Sequence, residues 1–330
     1  MASSSSQSQR RSESMDSEKM MTMNEAVGKH VKDGDMVYLA GFTHMIPFSA
    51  GHEIMRQNRK GLTLARATPD IIYDQMVAAG CAKKLIFSYS GNPGVGSLRC
   101  FRRATERPKP KFEGDKAPLE FKPIEIEEYT HFGLSGRLFA GATNMPFLPM
   151  RTNLGSDLPA NNPTIKTVKD PYTGDEVSVV PPLKPDVAVV HVQRADKNGN
   201  AHIWGIIGEQ RDAAFASKRV IISAEEIVDE SVIRSDPNRT LIPDFVVHAV
   251  VHEPWCAHPS YVQGYYDRDN EFYMQWDEIT KDHETTMKYL NEWVFGLEDR
   301  KAYVKKVGAD KLQKLKFKPA MCTPVDYGTM

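Results

Sequence analysis

Cysteine is scarce in this 330-residue chain, and the four cysteines are far apart. Cys81, Cys100, Cys256 and Cys322 form no Cys-x-x-Cys pair, so neither a secreted disulfide framework nor a paired-cysteine zinc site is indicated. No apolar run approaches the roughly 20 residues of a membrane-spanning helix, and the N-terminus lacks the apolar core of a secretory signal. We therefore expect a cytoplasmic protein with reduced thiols and no membrane association.

An excess of positive charge is also lacking. The 42 Lys and Arg residues face 43 Asp and Glu residues, giving a formal net charge of −1. Proteins that hold DNA or RNA need an excess of positive charge to bind the polyanion. We therefore expect no nucleic-acid partner, and the composition favours an enzyme that acts on small molecules.

Six short apolar runs are predicted to be strands. The runs are continuous rather than alternating, as in strands of a parallel sheet that is covered on both faces. Helical patterns separate them, and the stretch 282–305 is a polar, amphipathic helical region with a break near Gly296. The order predicts an open three-layer α/β/α sandwich with a mostly parallel sheet, plus a helical C-terminal extension. The predicted strands cover 36–40, 62–65, 85–89, 187–192, 220–223 and 245–251, and the other helices 49–60, 70–82, 98–106 and 129–143.

The domain organisation is simple. Residues 1–18 are rich in serine, cannot build a core, and are predicted to be a disordered tail. The Lys- and Pro-rich stretch 108–123 is predicted to be an exposed excursion, and the Asn-Gly pair within 196–200 predicts a hairpin turn. No internal repeat or long linker divides the remainder. We expect a single α/β domain over residues 19–330.

Ligands of open α/β sheets bind outside the carboxyl ends of the strands. This rule selects the loops 41–47, 90–97 and 254–260. In the first loop, Gly41 permits a sharp turn that leaves amide N–H groups free to face an oxyanion, next to Phe42, Thr43 and His44. An ordinary strand-to-helix turn explains the same residues, so both interpretations stay open.

The second loop is rich in glycine and leads into a predicted helix. A flexible loop at a helix N-terminus suits a carboxylate or a phosphate group. It lacks the Lys-Ser/Thr of a Walker loop and the spacing of a dinucleotide-binding loop, so nucleotide binding is unsupported. A purely structural loop is the alternative. The candidate binding residues are Ser90, Gly91, Asn92, Gly94 and Gly96.

Histidines near the last predicted strand raise the question of a zinc site. His248, His252, Cys256 and His258 are ligand types that zinc accepts. Four residues along a strand span roughly 13 Å, which is too far for one metal ion to bridge. We therefore expect no metal site and keep only His258, in the loop after the strand, as a candidate near a binding site.

His131 is a second candidate, at the start of the 129–143 helix. A histidine can act as an acid, a base or a hydrogen-bond donor near neutral pH. A lone histidine at a helix start also occurs for structural reasons. No Gly-x-Ser-x-Gly motif is present, so the sequence offers no recognised nucleophile of that type.

Nine short motifs between residues 32 and 295 resemble class I CoA-transferases, and in particular the A-type chain of glutaconate CoA-transferases; the similarity as a whole runs from about residue 20 to residue 314. The order and spacing of the motifs are specific, although no single one is. They are Lys32-Asp-Gly-Asp35, Ala40-Gly-Phe-Thr43, Pro146-Phe-Leu-Pro149, Pro185-Asp-Val-Ala-Val-Val-His191, Ile203-Trp-Gly205, Glu225-Glu-Ile227, Ala257-His-Pro-Ser260, Tyr266-Asp-Arg-Asp-Asn270 and Glu292-Trp-Val-Phe295.

The resemblance implies a reaction and a partner. Class I CoA-transferases move CoA between carboxylic acids through an acyl-glutamyl anhydride and a glutamyl-CoA thioester, and in the glutaconate type that glutamate belongs to a B-type chain. Glu225 and Glu226 match the A-type chain's own motif and are not that nucleophile. The implied protein is a hetero-oligomer that acts on an acyl-CoA and a short carboxylic acid. Coenzyme A is its substrate as a thioester, no cofactor is bound permanently, and the chain is inactive alone.

The resemblance also implies a role for the first loop, residues 41–47. Gly41 and Phe42 match the last two residues of the family's Gly-Gly-Phe loop, which lies where the reaction's oxyanion forms, while Ala40 replaces the first glycine. A sister branch of the fold contains hydrolases that open a ring in steroid-derived CoA thioesters, and their glutamate aligns with His131. The alternative function is therefore that of a subunit of such a hydrolase. A third possible function is that of a non-catalytic ligand-sensing module.

Overall fold

The computed structural model describes residues 19–106 and 123–316. The predicted tail over 1–18, and all but the last residue of the predicted excursion over 108–123, lie outside the described residues. Among the described residues, no helix is long and apolar enough to cross a membrane.

The centre of the fold is a sheet of nine strands, seven of which run parallel in the order β4-β3-β2-β1-β8-β10-β12. This arrangement confirms the predicted mostly parallel sheet. The seven strands are β1 (Met36–Leu39), β2 (Leu62–Ala65), β3 (Ala82–Phe87), β4 (Glu125–Glu128), β8 (Val187–Ala195), β10 (Arg219–Ile227) and β12 (Ala249–His252).

Two antiparallel strands complete the sheet, β9 (Ala201–His202) against β8 and β11 (Thr240–Ile242) against β9. The predicted hairpin turn joins β8 to β9. One carboxylate oxygen of Asp196 accepts the backbone N–H groups of Asn198, Gly199 and Asn200 at 2.8–3.0 Å. The turn is therefore held by a short polar side chain.

A second, smaller sheet was not predicted from the sequence. It consists of β5 (Leu148–Met150), β6 (Lys166–Lys169) and β7 (Glu176–Val180), which pair antiparallel in the order β5-β7-β6. All four residues of β6 are exposed, so this strand carries no continuous apolar run that would mark it in the sequence.

Helices cover both faces of the main sheet. Successive residues of β1 point to opposite faces, so Val37 and Leu39 join one apolar core while Tyr38 and Ala40 join the other. The α/β/α layering predicted from the sequence is confirmed. The helices are α1 (Met23–His30), α2 (Phe48–Arg56), α3 (Ile71–Ala78), α4 (Arg99–Thr105), α5 (His131–Ala142), α6 (Leu158–Asn161), α7 (Gln210–Ala216) and α8 (Glu230–Ser235).

The C-terminal residues form the predicted helical extension. It contains α9 (Asn270–Ile279), α10 (His283–Leu290), a π-helical turn (Asn291–Phe295), α11 (Arg300–Val307) and α12 (Ala309–Leu315). Side chains of Asp269, Asp282 and Asp299 accept backbone N–H groups at the starts of α9, α10 and α11. The chain leaves the π-helical turn at Gly296, where the sequence predicts a break.

One predicted strand was wrong in part. Residues 245–251 read as a continuous strand, but the pairing of β12 covers only Ala249–His252. A single 3₁₀ turn over Asp244–Val246 precedes it. Phe245 is 76% exposed, so the apolar start of this run is not buried in the sheet.

Candidate active site

The carboxyl ends of β1, β2, β3, β4 and β12 carry loops that touch one another. The N–H of Met45 in the β1 loop donates to the carbonyl of Tyr261 in the β12 loop at 2.9 Å. The N–H of Gly91 in the β3 loop donates to the carbonyl of Pro69 in the β2 loop at 3.3 Å. The loops that were selected from the sequence therefore meet at one edge of the sheet.

The β1 loop has a geometry that demands glycine at its start. Gly41 has a φ of +127°, and a Cβ atom there would lie 2.7 Å from the carbonyl oxygen of His44. Thr43 and Met45 also have positive φ angles, of 54° and 55°. Such conformations are uncommon outside glycine and persist only where the surroundings enforce them.

This loop presents unused donors. Among the described residues, the backbone N–H groups of Gly41 and Phe42 have no acceptor. Phe42 is 41% exposed. Two adjacent N–H groups in a tight turn suit an oxyanion, so the geometry is compatible with the role that the resemblance implies.

Hydrogen bonds from the β12 loop fix the conformation of the β1 loop. The hydroxyl of Ser260 donates to the carbonyl of Thr43 at 2.8 Å. The buried ring of His44 lies between two backbone groups: its Nδ1 is 3.2 Å from the carbonyl of Ile206, and its Nε2 accepts the N–H of Gln263 at 2.9 Å. Burial lowers the pKa of His44 to about 4. Both ring nitrogens are thus engaged inside the protein, and the ligand contact predicted for His44 has no support from its surroundings.

The glycine-rich loop after β3 is closed on itself. The N–H of Asn92 donates to the carbonyl of Gly96 at 2.8 Å, and the N–H of Gly96 donates back to the carbonyl of Asn92 at 3.1 Å. The side chain of Asn92 is buried and donates to the carbonyl of Tyr273. Gly94, at the tip, has a φ of +76° and open space around its Cα atom, and its N–H has no acceptor among the described residues. Gly94 therefore lies exposed at the tip of the loop with a free N–H group.

Ser90 lies beside this turn. Its hydroxyl is buried and has no hydrogen-bond partner among the described residues. A buried hydroxyl without a partner is unfavourable unless water or a ligand satisfies it. Ser90 therefore stays a candidate for a polar ligand contact.

His131 begins α5 and reaches the β2 loop. Its Nε2 lies 2.8 Å from the hydroxyl of Thr68, and the residue is exposed. Thr130 caps the helix by accepting the N–H of Gly133 at 2.9 Å. The fold thus places His131 at the same sheet edge as the β1 and β3 loops.

His258 is not at the edge surface. The ring is buried, with Nδ1 2.9 Å from the hydroxyl of Tyr303 and Nε2 3.2 Å from a carboxylate oxygen of Asp269. Burial lowers the pKa of His258, and the hydrogen bond to Asp269 opposes that shift. The residue joins the β12 loop to the C-terminal helices, so its surroundings give no support to the predicted substrate contact.

Sequence reasoning missed a buried ion pair in the β2 loop. Arg66 is 1% exposed, and its Nη1 lies 3.6 Å from a carboxylate oxygen of Asp70. Neither the Nε of Arg66 nor either oxygen of Asp70 has a hydrogen bond of good geometry among the described residues. Burial raises the pKa of Asp70, and Arg66 opposes that shift. The carboxyl-end rule applies to β2 as much as to β1, so this loop could have been selected from the sequence.

Glu209 was missed as well. One of its carboxylate oxygens accepts from the hydroxyl of Ser135 in α5 at 2.5 Å, and the other accepts from the buried hydroxyl of Tyr38 in β1. Burial and the neighbouring Glu209 raise the pKa of Tyr38. The carboxylate therefore links β1 to the helix that begins with His131. No local sequence pattern marks such a link.

The two glutamates of the Glu225-Glu-Ile227 motif have different surroundings. Glu225 is buried, accepts from the hydroxyl of Tyr266 at 2.6 Å and from the N–H of Trp255 at 2.9 Å, and lies 2.8 Å from His191. The half-exposed Glu226 pairs with Arg194 at 3.1 Å. The contacts of Glu225 indicate a structural carboxylate.

The described residues contain no cluster of three or more His, Cys, Asp or Glu side chains that could hold a metal ion. The residues weighed for zinc have separate contacts: Nε2 of His252 is 3.2 Å from the carbonyl of Glu225, and the thiol of Cys256 is 3.3 Å from the hydroxyl of Ser223.

A comparison with known protein families shows which family this chain belongs to. The sequence profile of the family described as coenzyme A transferase matches residues 20–253. The match includes all seven parallel strands and ends directly after β12, so the β12 loop lies outside it. The chain belongs to the coenzyme A transferase family. Two relatives are named as CoA-transferase subunits, which supports CoA-transferase activity for this member of the family.

Two relatives cover nearly the whole chain. The A-type chain of the 3-oxoadipate CoA-transferase of Pseudomonas knackmussii is 45% identical over 292 residues, which cover 88% of this chain and 99% of that protein. The A-type chain of the glutaconate CoA-transferase of Acidaminococcus fermentans is 33% identical over 326 residues, covering 93% and 98%. The crystal structure of the glutaconate enzyme matches this family member with a TM-score of 0.83 at 33% identity, covering 91% of this chain and 96% of that one.

A more distant relative has another activity by name. The cholesterol ring-cleaving hydrolase IpdA subunit of Rhodococcus jostii is 32% identical over 280 residues, covering 77% of this chain and 94% of that protein. The family resemblance drawn from short motifs is thus confirmed, and the hydrolase branch considered alongside it is also present among the relatives.

Proposed function

We propose that this chain is the A-type subunit of a two-subunit CoA-transferase that moves CoA between short carboxylic acids. The observation that carries the proposal is the 45% identity to the A-type chain of a 3-oxoadipate CoA-transferase over nearly the full length of both chains. The partner is a B-type subunit, which supplies the glutamate that becomes acylated and then carries CoA as a thioester. CoA enters as a substrate thioester, and no permanently bound cofactor takes part. The cytoplasmic location stays a prediction.

The acid is proposed from the same relative. 3-Oxoadipate is the first acid to test, and glutaconate, which the glutaconate relative names, is the second. Both are dicarboxylic acids, and the sheet edge offers the buried guanidinium of Arg66 with an Nε that lacks a hydrogen bond among the described residues. An arginine of this kind can pair with a carboxylate.

The reaction needs groups that stabilise a tetrahedral oxyanion, since each acyl transfer to and from the glutamate passes through one. The free N–H groups of Gly41 and Phe42 are the groups of this chain proposed for that task. The turn at Gly41 fixes the direction of these N–H groups before substrate binds. Its φ of +127° and the close carbonyl oxygen of His44 leave the loop few other conformations. Gly94 and Ser90 are proposed to contact the acyl group or CoA from the β3 loop.

Several apolar side chains near this edge are exposed. Phe42, Ile207 and Phe132 are 41%, 47% and 58% exposed. Large exposed apolar groups at one edge are typical of an interaction surface. We propose that the B-type subunit covers this edge and completes the active site there.

The test compares the activity of the lone chain with that of the two chains together. We expect the lone chain to show no CoA transfer from acetyl-CoA or succinyl-CoA to 3-oxoadipate, and we expect co-expression with a B-type chain to restore transfer. Robust turnover by the lone chain would refute the two-subunit proposal. Assaying release of free CoA in the same reaction distinguishes a transferase from a hydrolase of the kind named for the Rhodococcus relative.

A further inference from the structure

A cavity of about 280 Å³ lies inside the C-terminal helical extension. Its lining residues include His258 of the β12 loop, but Gly41, Phe42, Ser90 and Gly94, the residues proposed for the oxyanion and acyl contacts, do not line it. The cavity is lined by Phe272, Gln275 and Ile279 of α9, Tyr289 of α10, Trp293 of the π-helical turn, Tyr303 and Val307 of α11, and His258, Asp269 and Lys311.

Four of the ten lining residues are aromatic, and their rings form a row. The rings of Tyr289 and Trp293 are nearly parallel, at an angle of 16° with their centroids 6.2 Å apart. Phe272 and Tyr303 extend the row on either side, each with its ring centroid 5.8 Å from the next. Such a row offers ring faces and edges to a planar guest, because aromatic pairs favour offset-stacked and edge-to-face contacts.

One end of the cavity is polar. A carboxylate oxygen of Asp269 lies 2.7 Å from Nζ of Lys311 and 3.2 Å from Nε2 of His258. The other oxygen of Asp269 accepts the N–H of Phe272 at the start of α9. Lys311 is only partly exposed, and its ammonium carries three donors while Asp269 is its one partner within hydrogen-bond distance among the described residues.

The ammonium of Lys311 pairs with the buried carboxylate of Asp269 at 2.7 Å and lies 3.6 Å from the exposed carboxylate of Glu271, so no unpaired positive charge remains at this end among the described residues. A charged guest would compete with one of these ions for its partner, which is unfavourable at the buried Asp269. A hydroxyl group avoids that cost, because it can accept from Lys311 and donate to Asp269 at once.

The size of the cavity sets the size of the guest. A cavity of roughly 150 Å³ lined by apolar side chains holds one benzene molecule. The cavity here is nearly twice as large. One ring with a substituent, or two fused rings, would fill it.

We propose that this cavity binds a neutral aromatic molecule of one or two rings that bears a hydroxyl group, with the rings between the aromatic side chains and the hydroxyl at Asp269 and Lys311. The site is distinct from the proposed CoA-transfer site. His258 connects the two, because it lines the cavity and lies two residues before Ser260, which holds the carbonyl of Thr43 in the β1 loop. Binding is therefore expected to stabilise the β12 loop behind the β1 loop.

The test uses 2-naphthol as the probe and naphthalene as its analogue without the hydroxyl, titrated into the purified A–B complex by calorimetry or ligand-detected NMR. We expect 2-naphthol to bind with a Kd tighter than about 1 mM, and naphthalene to bind at least about fivefold more weakly. Val307→Phe fills the cavity and should abolish binding. Val304→Phe, on the same helix but outside the cavity lining, is the matched control and should bind 2-naphthol as the unaltered protein does.

A second variant tests the polar end. Asp269→Asn keeps a side-chain oxygen to accept the N–H of Phe272 and removes the charge, so the preference for 2-naphthol over naphthalene should fall while naphthalene binding is unchanged. The proposal is overturned if 2-naphthol binds no tighter than about 1 mM, if it binds equally well to Val307→Phe, or if acetyl-CoA displaces it in competition. If Val307→Phe does not fold, Lys311→Met replaces it, and an unchanged preference for 2-naphthol in that variant overturns the assignment.

Discussion

Nε2 of His131 and the hydroxyl of Thr68 lie 2.8 Å apart, which joins the first residue of α5 to the loop after β2. The contact places an exposed imidazole at the sheet edge where the β1 and β3 loops also end. A ring held by one neighbour and open to solvent on its other side can still meet a substrate. This is the geometry expected of a residue that orients a carboxylate or an attacking group.

Replacement of His131 is expected to impair transfer without unfolding the protein. His131→Ala should lower kcat/KM of the A–B complex by roughly ten- to a hundredfold, the loss of one hydrogen bond in the transition state. Thr68→Val should have a smaller effect, because it frees the ring rather than removing it. His131→Glu is expected to admit some release of free CoA at the expense of transfer. Full transfer activity in His131→Ala with an unchanged melting temperature would contradict the assignment.

The tip of the β3 loop gives a second prediction, which depends on the conformation of Gly94. Its φ of +76° is strained for a β-branched residue but accessible to asparagine, and nothing lies within 4 Å of the added Cβ atom. Gly94→Val should therefore reduce transfer strongly, whereas Gly94→Asn should retain most of it. Both variants are assayed in the assembled complex, with co-purification of the B-type chain as the control for assembly. Activity within a few-fold of normal in Gly94→Val would mean that the loop is only structural.

A third prediction concerns pH and the buried pair of His191 and Glu225. Burial alone would lower the pKa of His191, but its contacts with Cys256 and with the Glu225 carboxylate raise it to about 10. A histidine whose folded pKa lies above its unfolded value stabilises the fold fully below about pH 6.5, and this stabilisation is lost as pH rises toward 10. The free energy of unfolding should thus fall across that window.

The matched variant is His191→Gln, which removes the titrating ring. We expect it to be less stable at pH 7 by about 3 kcal/mol, since it breaks a buried pair. Its urea midpoint should also change less between about pH 7 and pH 10 than that of the unaltered protein. Parallel pH profiles in the two proteins would show that His191 does not carry the dependence.

The ion pair of Arg66 and Asp70 gives the fourth prediction. Arg66→Met leaves the Asp70 carboxylate buried without its cation, and should cost about 3 kcal/mol of unfolding free energy at about pH 8. Because burial already raises the pKa of Asp70, loss of Arg66 raises it further, and the variant should regain stability as the pH falls and the carboxyl group is protonated.

Two comparisons make this prediction specific. The double variant Arg66→Met, Asp70→Asn should recover much of the lost stability at about pH 8, because the uncompensated charge is gone. Arg151→Met removes an exposed arginine, 68% accessible and 3.5 Å from Asp175, and should cost no more than about 1 kcal/mol. An Arg66→Met variant that is no less stable than Arg151→Met would argue against a buried pair.

The sequence by itself determined the layered α/β architecture and the family. Short continuous apolar runs at β1, β2 and β8 indicated strands covered on both faces, since burying one residue after another in a strand requires two apolar layers. The motifs determined the family because their order and spacing depend on chemistry common to its members. The carboxyl-end rule then selected Gly41 and the β3 loop, because such loops meet ligands in any open parallel sheet.

Only the tertiary structure decided which of those candidates are buried and which lie exposed at the sheet edge. His44 and His258 read as polar loop residues, but their rings are buried by chain segments about 160 residues and 45 residues away in sequence, Ile206 and Tyr303 respectively. The links from Glu209 to Tyr38 and Ser135, and the aromatic cavity of the C-terminal helices, also join residues distant in the chain. Such contacts arise from packing between whole elements, so no local pattern of residues can predict them.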